Sequence, residues 1–192
     1  MAFLALPRSV DGVVLLKPTI HNAKAGGMAK EIERKFLVSG KRWRLLADAG
    51  ESIKQGYLAT MDDRSLRVRL YGDGRASLTL KIGQSALERD EYEFDISPEV
   101  AAEMLDQAVG TVLEKVRYRV EHKGFVWEID VYGGRYSGLV VAEVELESAA
   151  DRPELPDWVG REVTGDFRYS NQAMALSEGA IASFHEPHTQ SG

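Results

Sequence analysis

Charged residues recur at every second position in several short segments of this chain, and the residues between them are mostly apolar. Side chains of a β-strand alternate between its two faces, so each segment predicts a strand with one charged face and one apolar face. The segments are 31–35, 67–69, 89–93, 115–119, 128–130 and 143–145, and Lys81 adds a single charge. The charges are therefore predicted to line one surface.

That surface carries both signs of charge. The basic side chains are Lys35, Arg67, Arg69, Lys81, Arg89, Lys115, Arg117 and Arg119. The acidic side chains are Glu31, Glu33, Glu91, Glu93, Glu128, Asp130, Glu143 and Glu145. Burying each ion dry would cost several kcal/mol, so a closed sheet with these charges inside predicts a hydrated tunnel that holds a polyanion and metal.

The basic side chains favour a phosphate ligand. Arginine presents a planar fork that matches phosphate oxygens, and lysine adds a compact point charge. There are more of them than one phosphate needs, which indicates a chain of phosphates.

The carboxylates require a separate explanation, because they repel such a ligand. Mg²⁺ and Mn²⁺ take oxygen ligands and commonly bind through a few carboxylates together with substrate phosphates. Glu31 and Glu33 on the first strand could meet Glu143 and Glu145 on the last strand where a barrel closes. The alternative interpretation is a set of internal salt bridges, or an ordinary solvated face of an antiparallel sheet.

Composition limits the class of protein. The chain has 192 residues, 44% of them hydrophobic, which is enough for one domain with a core. It contains no cysteine, and no apolar run approaches the roughly 20 residues of a membrane span, so we expect a cytoplasmic protein without a membrane partner. The net charge of −6 argues against nucleic acid as a partner.

The pattern places a series of hairpin-connected strands between two loose ends. We expect strands at 31–38, 52–60, 64–71, 75–82, 88–96, 112–122, 124–132 and 138–147, and helices at 41–49, 98–107 and 172–184. The predicted fold is an all-β-dominated (α+β) closed eight-stranded antiparallel barrel with a charged interior and a few flanking helices. Residues 1–28 are predicted to be a disordered leader, 29–184 the domain and 185–192 a loose tail. The apolar outer face needs covering by helices or by a homodimer partner.

Ordered motifs along the chain closely resemble the CYTH, or triphosphate tunnel metalloenzyme, family over residues 29–184. The signature Glu-x-Glu-x-Lys stands at 31–35, and the other matching segments are 55–58, 67–69, 79–81, 91–93, 115–118, 128–131, 143–145, 162–166 and 168–171. The resemblance implies an eight-stranded tunnel that binds triphosphate substrates with Mg²⁺ or Mn²⁺.

The resemblance also implies roles for individual residues. The phosphate ligands would be Lys35, Arg67, Arg69, Lys81, Arg117 and Arg119. The metal ligands would be Glu31, Glu33, Glu143 and Glu145, with Glu91, Glu93, Glu128 and Asp130 as further candidate acids. In short bacterial members, positions similar to Tyr57 and Lys115 are associated with hydrolysis of inorganic triphosphate, and a C-terminal helix plugs one tunnel mouth. Tyr57 could instead be a core aromatic residue, and Lys115 another phosphate ligand.

Three functions are compatible with these residues. The leading hypothesis is hydrolysis of inorganic tripolyphosphate to pyrophosphate and phosphate, because Trp43, Trp127 and Trp158 show no clustering in the sequence that suggests a nucleobase pocket. The second is a class IV-type adenylyl cyclase that converts ATP to cyclic AMP and pyrophosphate. The third is a polyphosphate-binding module without catalysis.

Overall fold

The computed structural model describes residues 30–83, 89–148 and 150–177. The predicted leader and tail lie outside these ranges, as does the end of the predicted C-terminal helix. Nine strands form within them: β1 (Lys30–Val38), β2 (Glu51–Thr60), β3 (Arg64–Tyr71), β4 (Ala76–Ile82), β5 (Arg89–Asp95), β6 (Val109–His122), β7 (Phe125–Tyr132), β8 (Val140–Leu146) and β9 (Val159–Glu162). The alternating segments thus form strands close to where the sequence predicts them.

All strand pairs are antiparallel, in the order β5-β4-β3-β2-β6-β7-β8-β1-β9, and β1 also meets β5. The sheet therefore rolls round until its first and fifth strands touch. Within the described residues this seam comprises only the pairs Lys30 with Asp90 and Glu31 with Arg89.

The prediction of eight strands closed into a barrel is corrected at this seam. Farther along β1, the edge that would complete the closure pairs instead with β9, through Phe36 with Glu162 and Val38 with Val159. One strand edge can form only one ladder at a time, so hydrogen bonds do not close the seam along its length. The sequence did not reveal β9, because four residues beyond a proline-containing link carry no charge alternation.

The apolar outer face of the sheet carries the main core. Phe36, Trp127 and Trp158 pack with ring centroids 5.6 and 5.7 Å apart, and Trp43 belongs to the same buried cluster. The tryptophans do cluster, contrary to the sequence-based expectation. They do so outside the sheet, where they stabilise packing and do not line the charged interior.

Two helices and three short 3₁₀ turns complete the regular structure of the described chain; the turns are Arg42–Leu45, Gly134–Tyr136 and Phe167–Tyr169. Helix α1 (Pro98–Asp106) begins where predicted, since the Ser97 side chain caps the Val100 amide, and it packs on the outer face of β3 and β4. The helix predicted at 41–49 is only a 3₁₀ turn, Arg42–Leu45. Helix α2 (Asn171–Leu176) is capped by Ser170.

Within the described ranges, every helix is too short or too polar to cross a lipid bilayer.

Candidate active site

A cavity of about 650 Å³ lies on the charged side of the rolled sheet. Most of its wall is made of strand side chains whose positions alternate along β1, β3, β4, β7 and β8. The segment that follows β9 forms the rest of the wall, and it includes the start of α2. The alternation in the sequence thus produces one continuous polar chamber.

Five of the predicted phosphate ligands line this cavity. They are Lys35, Arg67, Arg69, Lys81 and Arg117. Arg119 does not line it: its side chain is 46% exposed and lies between Glu51 and Glu128, with nitrogen to oxygen distances of 3.8 and 3.4 Å. The structure thus brings together five cations and leaves Arg119 outside the chamber.

Most of the cavity cations are already paired with carboxylates. Lys35 Nζ lies 2.8 Å from Glu143, and Arg67 and Lys81 share Glu91 at 3.2 and 2.7 Å. Arg117 binds both oxygens of Asp130 at 2.7 Å. The candidate acids Glu91 and Asp130 therefore act as internal counter-ions, which is the salt-bridge interpretation of the pattern.

Glu143 and Glu128 extend this network of charges. Arg117 donates to both carboxylates, at 3.1 Å in the case of Glu143. Burial favours a protonated Glu143, but Lys35 and Arg117 outweigh it and hold the pKa of that carboxyl well below its usual range. Glu143 is consequently ionised at neutral pH.

Lys115 and Asp130 form the most deeply buried ion pair of the site. Asp130 on β7 stands opposite Arg117 on β6, and Lys115 is its diagonal neighbour two residues along β6. The side chains of Lys115 and Asp130 are both inaccessible to solvent, and Lys115 does not line the cavity. Burial lowers the pKa of Lys115 to about 7, although Asp130 favours the charged form, and the nearby charges of Arg117 and Arg69 act in the same direction as burial. The lysine can therefore exchange a proton close to neutral pH.

Tyr57 lines the cavity at the end that α2 covers. It is 5% exposed and belongs to an apolar cluster with Leu113, Tyr132 and Met174. Its position is thus compatible with a catalytic residue and with a core aromatic residue, because Tyr57 belongs to the buried cluster and also lines the cavity.

The segment after β9 adds cavity residues that the sequence analysis did not assign. They are Val163, Thr164, Gly165, Asp166, Phe167, Ser170, Asn171 and Gln172. The hydroxyl of Tyr132 donates to Asn171 Oδ1 at 2.7 Å and so ties the start of α2 to β7. In the sequence, only the family-like motif at 168–171 pointed to this part of the cavity wall, because the charge alternation does not extend to it.

The predicted metal ligands are only partly within the described residues. The side chain of Glu31 lies outside them, as does that of Arg89. Glu33 and Glu145 face each other as cross-strand partners on β1 and β8. Within the described chain, no group of three or more acidic or histidine side chains is close enough to hold a metal ion. The four-carboxylate site stays a prediction.

The donors at this cross-strand pair nevertheless suit a hard divalent cation. Glu145 makes no ion pair or hydrogen bond with any other described residue, whereas Glu33 has only a long contact, 3.6 Å, to Lys35. Two carboxylates at a cavity wall, completed by water and substrate phosphates, are a usual way to bind Mg²⁺.

A rolled antiparallel sheet around paired cations and carboxylates defines a chamber for a multiply charged anion. The CYTH domain model matches residues 29–175, and the chain belongs to this family. A curated inorganic triphosphatase of Acetivibrio thermocellus is 44% identical over 148 residues, which cover 77% of this chain and 94% of that protein.

Two further comparisons agree with this family membership. A curated inorganic triphosphatase of Nitrosomonas europaea is 38% identical over 154 residues, covering 77% of this chain and 97% of that protein. The crystal structure of an inorganic triphosphatase, 38% identical, superposes with a TM-score of 0.56 over 79% of this chain and 98% of that chain.

Proposed function

We propose that this protein hydrolyses inorganic tripolyphosphate to pyrophosphate and phosphate with the help of Mg²⁺ or Mn²⁺. The observation that carries the proposal is the cavity of about 650 Å³, which five cations and seven acids line; the acids are Glu33, Glu91, Glu128, Glu143, Glu145, Glu147 and Asp166. The naming of two relatives, 44% and 38% identical, as inorganic triphosphatases supports it.

The cations would bind and orient the phosphate chain. Arg67, Arg69 and Lys81 lie on β3 and β4, and Lys35 and Arg117 approach from β1 and β6. Carboxylate partners keep Lys35, Arg67, Lys81 and Arg117 ordered before substrate arrives, so less side-chain freedom is lost on binding. Arginine forks supply two parallel donors to each phosphate.

The metal would be held by Glu33 and Glu145, with Glu31 as a further predicted ligand. When bound, a divalent cation neutralises charge on the phosphates and lowers the pKa of a coordinated water. Glu143 stays a predicted ligand as well: Lys35 and Arg117 each contact one of its oxygens, and each oxygen keeps a second lone pair for a metal.

Lys115 and Tyr57 are the proposed catalytic residues. A lysine with a pKa of about 7 is partly neutral at physiological pH, which suits a general base. The Lys115 side chain is inaccessible in the substrate-free arrangement, which applies equally to the alternative role of a phosphate ligand. The Tyr57 hydroxyl would contribute a hydrogen bond to the reacting phosphate or water.

The test is phosphate release from tripolyphosphate, with ATP and thiamine triphosphate in parallel, in Mg²⁺, in Mn²⁺ and in chelator. We expect metal-dependent release from tripolyphosphate. Cyclic AMP formed from ATP would instead establish a cyclase, and saturable binding of tripolyphosphate without release in either metal would establish a binding module.

We further propose that the substrate is a small molecule and that no nucleic acid or membrane partner is involved, since the cations face inward and the net charge is −6. A cytoplasmic location and a homodimer stay predictions from the sequence.

A further inference from the structure

Arg69 differs from the other cations of the cavity in having no carboxylate partner among the residues that the structure describes. Within the described residues, Lys35, Arg67, Lys81 and Arg117 each lie between 2.7 and 3.2 Å from a carboxylate oxygen. No such ion pair involves Arg69. Arg69 is therefore the one cation in this set without a described carboxylate at ion-pair distance, and Asp130 acts on its charge only from farther away.

The strand neighbours of Arg69 explain this difference. Gln55 on β2 and Ser77 on β4 are its in-register partners, and both are uncharged. By contrast, Lys35 stands opposite Glu143 and Lys81 opposite Glu91. Arg67 also has uncharged in-register partners, Tyr57 and Thr79, but it reaches Glu91 on β5. Among the cavity cations, Arg69 thus lacks both a described acid opposite it and one at ion-pair distance.

Gln55 holds Arg69 through one specific contact. Arg69 Nε donates to Gln55 Oε1 at 3.2 Å, and the glutamine is 0% exposed. Arg69 also interacts with the Tyr71 side chain, and it lines the cavity, whereas Gln55 does not. Gln55 therefore lies behind Arg69 and acts on the chamber only through it.

The rest of the Gln55 amide is unsatisfied. Among the described residues, Gln55 Nε2 has no hydrogen-bond partner, and the hydroxyl of Ser77, 3% exposed, has none either. Buried polar groups without partners destabilise a fold, so they call for a reason other than stability. A glutamate at position 55 would leave no unpaired donor and would form a stronger bond to Arg69.

We propose that Gln55 is a positioning residue that orients Arg69 with a neutral acceptor, so that Arg69 keeps its full charge for a phosphate group of the substrate. A carboxylate at position 55 would hold the guanidinium equally well but would compensate its charge and repel the polyanion. This inference rests on the proposed function, because it assigns Arg69 to a polyphosphate.

The decisive variant is Gln55→Glu, since it keeps the acceptor and changes only its charge. We expect the KM for tripolyphosphate, and the Kd for tripolyphosphate measured by calorimetry in chelator, to rise at least about tenfold. The melting temperature should be unchanged or higher. A purely structural role predicts the opposite, namely wild-type KM and Kd because the hydrogen bond is retained.

Two further variants complete the test. Gln107→Glu makes the same change at the C-terminal end of α1, away from the cavity, and should leave KM at the wild-type value. Gln55→Met removes the acceptor without adding charge, and should lower kcat and raise KM severalfold. If Gln55→Glu does not fold, the kinetics of Gln55→Met test the role of Gln55 instead.

The outcomes distinguish a failure of the proposed function from a failure of the proposed role of Gln55. Wild-type protein that neither binds nor hydrolyses tripolyphosphate would overturn the proposed function, and the role of Gln55 with it. Active wild type with unchanged KM and Kd in folded Gln55→Glu, or in Gln55→Met if only that variant folds, would overturn the role of Gln55 alone.

Discussion

Lys115 Nζ lies 2.5 Å from Asp130 Oδ2, and neither side chain is exposed to solvent. Asp130 is held at the same time by Arg117, and these two cations lower the pKa of its carboxyl although burial alone would raise it. The lysine thus faces a carboxylate that stays ionised while its own pKa falls to about 7. This ion pair should therefore govern how both activity and stability change with pH.

We predict that kcat/KM for tripolyphosphate rises with pH through about 7 and that Lys115→Arg loses this limb. Arginine keeps the positive charge but does not release a proton at accessible pH. The loss should be roughly 10²- to 10⁴-fold at pH 8, as is typical for removal of a general base. Substrate binding should persist. Near-normal turnover in a folded Lys115→Arg protein would show that Lys115 is not the general base.

The same pKa predicts a change of stability with pH. The unfolded chain has a Lys115 pKa near 10.5 and the folded protein about 7, so between these values the unfolded state binds more protons. The free energy of unfolding should therefore increase from pH 7 towards pH 10, relative to Lys115→Met. Parallel denaturant titrations of the two proteins measure the difference. Equal pH dependence of both would mean that Lys115 titrates normally.

Much of the chamber could be predicted from alternation alone. Arg67 and Arg69 were assigned to one face of one strand, and the structure places both in the cavity wall. The pairing of Lys115 with Asp130 could not be predicted, because it depends on the register between β6 and β7 and on the depth of burial. The exclusion of Arg119 has the same origin: the strand extends beyond the chamber, although its alternation continues.

Local sequence patterns also could not predict what the C-terminal segment contributes to the cavity wall. Asn171 reaches the cavity because Ser170 caps α2 and Met174 is buried against the cluster that includes Tyr57. Such placement depends on tertiary packing of an irregular segment. The sequence indicated a helix there but not which of its residues would face the substrate.

We predict that Tyr57→Phe lowers kcat about 10- to 100-fold with little change in the melting temperature. The ring packs against Leu113 and keeps its place, whereas the hydroxyl is lost from the cavity wall. Tyr118→Phe is the matched control, because Tyr118 packs against Trp43 on the outer face. Equal activity of both variants would make Tyr57 a core residue only.

We predict that Glu145→Gln raises the Mg²⁺ concentration needed for half-maximal activity by about tenfold or more, while tripolyphosphate binding in chelator is retained or tightened. One metal oxygen ligand is lost, but all the cavity cations remain. Glu114→Gln, at an exposed pair with Lys54, is the control. An unchanged Mg²⁺ requirement would remove Glu145 from the metal site.

We predict that Met174→Ala lowers the free energy of unfolding by about 2–4 kcal/mol. Met174 is fully buried in the cluster beneath the cavity, and its carbonyl accepts a hydrogen bond from the Tyr136 hydroxyl. Urea denaturation followed by tryptophan fluorescence measures the change. A loss below about 0.5 kcal/mol would show that α2 does not stabilise this end of the domain.

The short strand β9 has a consequence for self-association. A long unpaired strand edge invites edge-to-edge polymerisation with other chains. Here the edge of β1 is shared between β5 and β9, and the last strand in the sheet is only the four residues Val159–Glu162, with Arg161 and Glu162 exposed. Beyond the seam, β5 carries Glu91, Glu93 and Asp95. The opening that interrupts the ring is thus bordered by short, charged edges that discourage the growth of intermolecular sheets.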